Sequence, residues 1–322
     1  MPKNRPKVSI VTVNYNQLAV TCEMLDSLRK LSFKDLEVIV VDNASKENPE
    51  SHLKQHYPEV IYIASSENLG FSGGNNLGIA ASTGEYLYFV NNDTELIEGS
   101  IPTLLALFDQ IDGLGMVSPL ICYHPSSHEH KVDLIQYAGT TLVNPYTARN
   151  KTFGEMELDK GQFKEPYPTP YAHGAAMMIP RDVLDIVGWM PEEFFLYYEE
   201  LDWCEQIRRA GYKVYVEPRA RIYHKESISV GKMSTLKTYY INRNRIFFMR
   251  RNKSKSELFI FALFLGFFTI PKNVLMYLVK GQMDHLKAFI RAVKWNISRR
   301  DRVENRTLLK KSSYATSASR VK

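Results

Sequence analysis

The chain has 322 residues, 44% of them hydrophobic, which suits one large globular domain or two small ones. Its net charge of +6 is unevenly placed: from Gly281 to the end there are 11 Lys and Arg against 3 Asp and Glu, leaving residues 1–280 with 30 against 32. A basic tail can mean nucleic acid, an anionic membrane or simple solubility, with what precedes it deciding, and no nucleic-acid partner is expected here; three scattered cysteines, Cys22, Cys122 and Cys204, show no paired spacing that suggests zinc or a disulfide framework and favour a reducing compartment.

The N-terminal MPKNRPK leads into VSIVTV, an apolar run too brief and too β-branched for a signal peptide, so no export is expected. Residues Val8 to Val13, Glu37 to Val41, Val60 to Ala64 and Tyr86 to Val90 are short β-rich runs bounded by turn residues. Helical spacing covers Leu18 to Leu31, and a shorter helix is expected from Pro49 to Tyr57. Strands alternating with helices predict βαβ units and a parallel sheet, whose ligands bind beyond the strand C-termini.

The residues at those ends are polar: Asn14-Tyr15-Asn16, Asp42-Asn43-Ala44-Ser45, Glu67-Asn68 before Gly70, and Asn91-Asn92-Asp93. Asp42 suits a sugar hydroxyl or nucleobase edge, or a simple turn. Gly73 and Gly74, with Asn75, precede a helical stretch from Leu77 to Ala81, where glycine N–H groups could approach an anion. The spacing matches neither a phosphate-binding Walker loop nor a dinucleotide fingerprint. Asp93 suits a hard divalent cation on a substrate diphosphate, which needs only one or two protein ligands, or else a β-turn.

Residues Cys122 to Pro170 lose regularity and are expected as loops or short strands over the site. Then a small-residue strand spans Gly174 to Ile179, and a short helix Pro180 to Val187. Behind the aromatic run FFLYY, Glu199, Glu200 and Asp202 open an amphipathic helix that Gly211 ends. Acidic residues favour a helix N-terminus, so capping is one reading. The aromatic wall allows another, because desolvation lifts a carboxylate pKa toward the range of a neutral-pH proton acceptor.

From Lys232 to Lys253 a mostly helical stretch carries Arg243, Arg245, Arg250 and Arg251. The apolar run Leu258 to Ile270 is followed by Pro271-Lys272-Asn273 and then VLMYLV. That break in mid-run predicts a re-entrant or in-plane element rather than a span, with basic flanks suited to an anionic membrane surface; a buried core helix pair is the alternative. Beyond about Arg300 the tail reads as disordered and basic.

Taken in order, VSIVTVNYN, LEVIVVDNAS, ENLGFSGGNN, YLYFVNND, HGAAMMIPR and YYEELDWCEQIRRAGYKV resemble the family 2 glycosyltransferases of GT-A fold, over about residues 7–255. Within that family the chain is similar to bacterial rhamnosyltransferase-like enzymes of cell-envelope glycan and polysaccharide synthesis. The resemblance implies a Rossmann-like, mostly parallel sheet flanked by helices, and inverting transfer of a sugar from a nucleotide-diphosphate donor. It implies donor contacts from Asn14, Asp42, Asn43, Gly73, Gly74, Asn75 and Asn92. It makes Glu200 the general base, with Glu199 and Asp202 as its neighbours, and Asp93 and His224 ligands of Mg2+ or Mn2+. Asn91 departs from the family's D-x-D pattern, and His224 could instead be a buried strand-end histidine.

The expected arrangement is a catalytic domain over 1–231, a helical membrane-docking region over 232–299 and a tail over 300–322. The expected partners are dTDP-rhamnose or a UDP-sugar, a polyprenyl-linked or polysaccharide acceptor, and the cytoplasmic face of the inner membrane, held peripherally or monotopically. Arg243 and Arg245 are candidates for the acceptor's phosphate or for lipid headgroups, or form a solvated basic helix. A catalytically silent sugar-nucleotide-binding scaffold stays open. A processive synthase is disfavoured because Gln206-Ile207-Arg208-Arg209 is followed by Ala210, not by the Trp of Q-x-x-R-W; a nucleotidyltransferase is disfavoured because Asn14-Tyr15-Asn16 is not a basic loop.

Overall fold

A computed structural model describes residues 7–127, 133–225 and 234–298. The first third is the expected alternation: β1 (Val8–Asn14), α1 (Leu18–Lys30), β2 (Leu36–Asp42), α2 (Glu50–His56), β3 (Val60–Ala64), α3 (Gly70–Ala81) and β4 (Tyr86–Val90). β1 runs parallel to β2 and β4, and β2 to β3, so their C-terminal ends share one edge, with Asn14 opposite Asp42. Alternate residues face opposite layers. Val11, Ile39 and Phe89 join one core, whereas Ile10, Val40 and Tyr88 join the other. Each fully buried side chain of this size contributes about 1.5–3 kcal/mol.

The sheet continues through β5 (Thr94–Leu96), α4 (Ser100–Gln110), β6 (Leu114–Tyr123), β7 (Ile135–Tyr137), β8 (Tyr167–Pro168), β9 (Ala176–Pro180), α5 (Arg181–Val187), α6 (Glu199–Arg209) and β10 (Lys213–His224). Its order is β3-β2-β1-β4-β9-β6-β10-β5, with β7 and β8 on side branches. β6 runs parallel to β10, and β9 lies antiparallel between β4 and β6. The sequence reading passed over β6, although all of its residues are buried. Pro119 interrupts its apolar run, and proline is rare in central strands. The sheet absorbs it through a bulge in β10: Glu217 pairs with Pro119, and the register then skips Pro218, Arg219 and Ala220 to resume at Arg221 opposite Leu120.

After β10 come α7 (Thr235–Asn252), α8 (Lys255–Phe264), a π-helical turn (Leu265–Thr269), α9 (Ile270–Val279) and α10 (Met283–Ser298). Residues 232–233 and the tail from 299 lie outside the described residues. α7 is not peripheral: Ile246, Phe247, Phe248 and Met249 share a core with Trp203 of α6 and Phe89 of β4. The interruption expected at Pro271-Lys272-Asn273 does not occur, and the chain stays helical from Lys255 to Val279. Pro271 has no N–H to give and would crowd the carbonyl four residues back. It sits in the first turn of α9, directly after the wide π turn, and Asn273 Nδ2 donates to Thr269 O at 2.7 Å. Among the described residues this is the one helix long and apolar enough to cross a membrane by length and composition. Phe259, Phe267, Phe268, Leu275 and Val279 on it are exposed.

Candidate active site

The polar strand ends converge on a cavity of about 460 Å³ bounded by β1, β4, the entry to α3, the start of α6 and the first turn of α7. Asn14, Asp42 and Asn92 form its buried scaffold. Asp42 Oδ1 accepts from Asn14 Nδ2 (2.7 Å) and Ser45 Oγ (2.6 Å), and Oδ2 from Ser45 N (3.1 Å). Thr21 Oγ1 donates to Asn14 Oδ1 (2.9 Å) and accepts from Asn92 Nδ2 (3.0 Å), tying β1 to the end of β4. Asn43 lines the cavity and clamps the entry to α3, donating to Asn68 Oδ1 and Gly70 O and accepting from Leu69 N.

The glycines do something other than expected. α3 begins at Gly70, so Gly73 and Gly74 lie inside the helix and away from the cavity. The N–H groups of Gly70 and Phe71 are already taken by Asn68 Oδ1 (2.9 Å) and Phe195 O (2.7 Å), not offered to an anion. A Cβ on Gly74 would meet Val13 at 2.9 Å, and one on Gly73 would meet Leu69 Cβ at 2.5 Å. These residues are glycine so that the helix can lie close on its surroundings. Asn75 does line the cavity, with its amide donating to Phe71 O.

At the β4 end, Asp93 and His224 are buried, with Asp93 Oδ1 and His224 Nε2 at 3.0 Å. His224 Nδ1 lies 2.8 Å from Gln136 Oε1, an acceptor, so Nδ1 carries the hydrogen of that bond and Nε2 is the ring nitrogen that faces Asp93. Apart from His224 Nε2, Asp93 Oδ1 has no hydrogen-bond donor. The spacing suits two ligands of one cation once Nε2 gives up any proton, since neighbouring ligands at about 2.1 Å from an octahedral metal stand about 3.0 Å apart. Asn91 Nδ2 approaches the same nitrogen at 3.5 Å. Among the described residues no third His, Cys, Asp or Glu joins them. The donor set thus fits a metal completed by phosphate oxygens and water.

At the opposite wall the acidic helix splits its carboxylates. Glu199 and Glu200 line the cavity. Burial is the main cause that pushes Glu200 up to about 7, while backbone N–H groups at the helix start oppose the shift. Burial, and then the charge of Glu200, pushes Glu199 well above the usual carboxylate range, and its Oε2 has no partner. Asp202 leaves the group. Wholly buried and off the cavity, it accepts from Arg251 Nε (2.9 Å), Asn252 Nδ2 (2.6 Å) and Gln206 Nε2 (2.8 Å). It is a tie between α6 and α7, not a neighbour of the base.

The FFLYY segment enters α6 through strained backbone, with Phe195, Tyr197 and Tyr198 at φ of 64°, 71° and 73°. Non-glycine residues held there cost about 1–3 kcal/mol each and persist only where surroundings impose them. The surroundings are on α7. Arg243 donates to Glu193 O and Phe194 O and lies over the Tyr240 and Trp295 rings, so it is not a surface arginine for lipid headgroups. Arg245 is equally buried, with Nη2 on Asn242 Oδ1 and Nε unpartnered, and burial lowers its pKa.

Sequence reasoning missed four cavity residues or neighbours: Gln136, His173, Lys237 and Asn244. His173 sits just before the small-residue strand that was singled out. Burial and the nearby His224 drive it down to about 3, and it accepts from Ala175 N at 3.1 Å as a neutral ring. Lys237 brings a cation to the cavity from the first turn of α7.

A family model described as Glycosyl transferase family 2 matches residues 9–188, which ends short of α6 and α7. The low-salt glycan biosynthesis hexosyltransferase Agl10 of Haloferax volcanii is 27% identical over 256 residues, covering 77% of each chain. The N-acetylglucosaminyl-diphospho-decaprenol L-rhamnosyltransferase of Mycobacterium tuberculosis is 24% identical over 239 residues, covering 69% of this chain and 77% of its own. Among solved structures, a mannosyltransferase from Pyrobaculum calidifontis in complex with GDP-Man and Mn2+ superposes with a TM-score of 0.54 at 15% identity, over 93% of this chain and 89% of that one. At that identity the likeness is one of fold, and the fold is GT-A.

Proposed function

Since this chain belongs to glycosyl transferase family 2 and is a glycosyltransferase, we propose that it transfers rhamnose, with inversion, from dTDP-rhamnose to a polyprenyl-diphosphate-linked saccharide. The observation that carries the reading is one cavity with two unlike walls: a half-buried carboxyl, Glu200, held at about 7, and the Asp93–His224 pair. In a single displacement the acceptor oxygen forms its bond to the anomeric carbon as the bond to the diphosphate oxygen breaks. Glu200 takes the acceptor's proton, and Glu199 beside it keeps the pair from ionising together. Asn43 and Asn75 orient the donor, on the frame that Asn14, Asp42 and Asn92 hold.

Asp93 and His224 would hold a divalent cation, Mg2+ or Mn2+, which neutralises charge on the donor diphosphate when bound. Lys237 faces the same space and adds a positive charge for the leaving group. The decaprenol-linked acceptor in the mycobacterial relative's name and the exposed apolar α8–α9 helix, with exposed Lys255 and Lys280 at its ends and exposed Lys272 within it, support a lipid-linked acceptor met at the cytoplasmic face of the inner membrane.

The test is Glu200→Gln. Turnover of dTDP-rhamnose should be lost while dTDP binding, measured by calorimetry, is retained. A silent scaffold would have no turnover to lose. A donor screen in which only UDP-hexoses react would remove the rhamnose assignment and leave the transferase.

A further inference from the structure

Glu193 to Tyr197 is the segment that delivers Glu199 and Glu200 to the cavity, and each of its carbonyls is held from outside. Arg243 Nη2 donates to Glu193 O and Phe194 O, both at 2.6 Å. Asn244 Nδ2 donates to Phe194 O (2.8 Å), Leu196 O (2.7 Å) and Tyr197 O (2.8 Å), sharing two hydrogens among three acceptors. The remaining carbonyl, Phe195 O, accepts from Phe71 N at the start of α3 (2.7 Å). Arg243 Nε donates to Asn244 Oδ1 at 2.7 Å, which fixes the amide so that its NH2 faces the segment. Phe195 also stacks on Tyr240 of α7 at 4.8 Å.

Asn244 is wholly buried and Arg243 nearly so. Arg243 makes these hydrogen bonds to backbone oxygens, and its charge also acts on the Glu199 carboxyl. Donors aimed at several consecutive carbonyls select one backbone conformation, here one containing left-handed residues that bulky side chains seldom adopt. On the other flank Gly70, at φ +72°, leaves room for Phe195 O, which any Cβ there would overlap.

We propose that Asn244, with Arg243, is a positioning residue for the proton-accepting carboxylate: from α7 it holds residues 193–197 in the left-handed turn that aims Glu200 into the cavity. The proposal rests on the reading of Glu200 as base. It makes α7 part of the catalytic unit although the family match stops at residue 188.

The test uses the full chain carrying Asn244→Asp, which keeps the shape and replaces the donor by an acceptor facing three carbonyls. Arg243→Lys is the second variant, should the first not fold. Asn296→Ala serves as control: its amide donates from α10 to Arg243 O (2.9 Å), so its loss loosens the α7–α10 packing without touching the segment. Turnover is read with dTDP-rhamnose and polyprenyl-diphosphate N-acetylglucosamine, and amide hydrogen exchange is read over residues 193–201.

Asn244→Asp should lower kcat by roughly 10- to 100-fold with little change in donor KM, because a misplacement of about 1 Å costs up to about 10²-fold. Exchange over 193–201 should quicken, and the acid limb of the pH profile should move lower as water reaches Glu200 among Glu199, Tyr198 and Cys204. The control should lower Tm and leave kcat and the limb in place. Unchanged kcat and exchange in Asn244→Asp, or an equal loss of kcat in Asn296→Ala, overturns the proposal. If Glu200→Gln keeps full turnover, the base assignment fails instead, and exchange over 193–201 in Asn244→Asp still decides whether α7 holds the segment.

Discussion

Asp202→Asn separates a catalytic from a structural carboxylate. Asp202 and Arg251 form an ion pair whose side chains are 0% and 6% exposed, and the Arg251 guanidinium lies near the Phe194 and Phe247 rings, which cannot replace a counter-ion. Neutralising one partner of a buried pair costs about 3–5 kcal/mol, because the other charge stays behind desolvated. Arg251 Nη1 already lacks a hydrogen-bond partner, which argues for the lower half of that range. In a chain this long about 1 kcal/mol moves Tm by about 2 °C, so the expected fall is roughly 6–8 °C by scanning calorimetry. Because Asp202 lies off the cavity, kcat measured well below Tm should stay within about threefold. The double variant Asp202→Leu with Arg251→Met should recover most of the lost stability. A variant that melts like the parent yet loses turnover about 100-fold would refute the reasoning and return Asp202 to the catalytic group.

Activity and stability should respond oppositely to pH. Glu200, raised from 4.5 to about 7 by burial, is a base only when deprotonated, so kcat/KM should climb as pH rises through about 7. The folded state holds that proton more tightly than the unfolded one, so the stabilisation, at most about 3 kcal/mol, is complete below about pH 4.5 and lost by about pH 7; Glu200→Gln should flatten that part of a Tm-against-pH curve. Gly78→Ala should lower stability by about 1–3 kcal/mol in urea unfolding, because its Cβ would overlap Val11 Cγ1 in the core of β1. Phe267→Asp with Phe268→Asp, at side chains 74% and 64% exposed, should cut cosedimentation with phosphatidylglycerol vesicles at least tenfold while Tm stays put; unchanged binding would exclude this face as the docking surface.

The parallel half of the sheet was legible because β1 to β4 bury alternating faces and end in polar residues, a pattern local to each strand. β6 was not, since Pro119 is tolerable only through the bulge between Glu217 and Arg221, a compensation about 100 residues away. The carboxylates of α6 were partly legible. Glu200 and Asp202 are two residues apart, about 200° around a helix, so one cavity cannot receive both. The helical period alone therefore separates Asp202 from the base, and only the packing of α7 shows which of the two faces inward.

α7 was the least legible element, for a reason that bears on how the site is built. Arginines at 243, 245, 250 and 251 in a helix suggest a basic surface, because a buried guanidinium normally announces itself by a carboxylate at helical spacing. Here Arg243 answers to carbonyls some 50 residues earlier and Arg251 to Asp202, neither of which has any periodic trace. The same helix leads through Ser254, whose capping box with Glu257 starts α8, into the apolar stretch ending at Val279. Its partner α10 returns along it, with Asn296 on Arg243 O and Arg250 on Asn296 O. A boundary at residue 231 would therefore cut a continuous core between Trp203 and Phe248 and take from the segment before Glu200 the donors on its carbonyls. The exposed apolar helix and the helix that carries Glu200 are thereby joined through α7 in one packed unit.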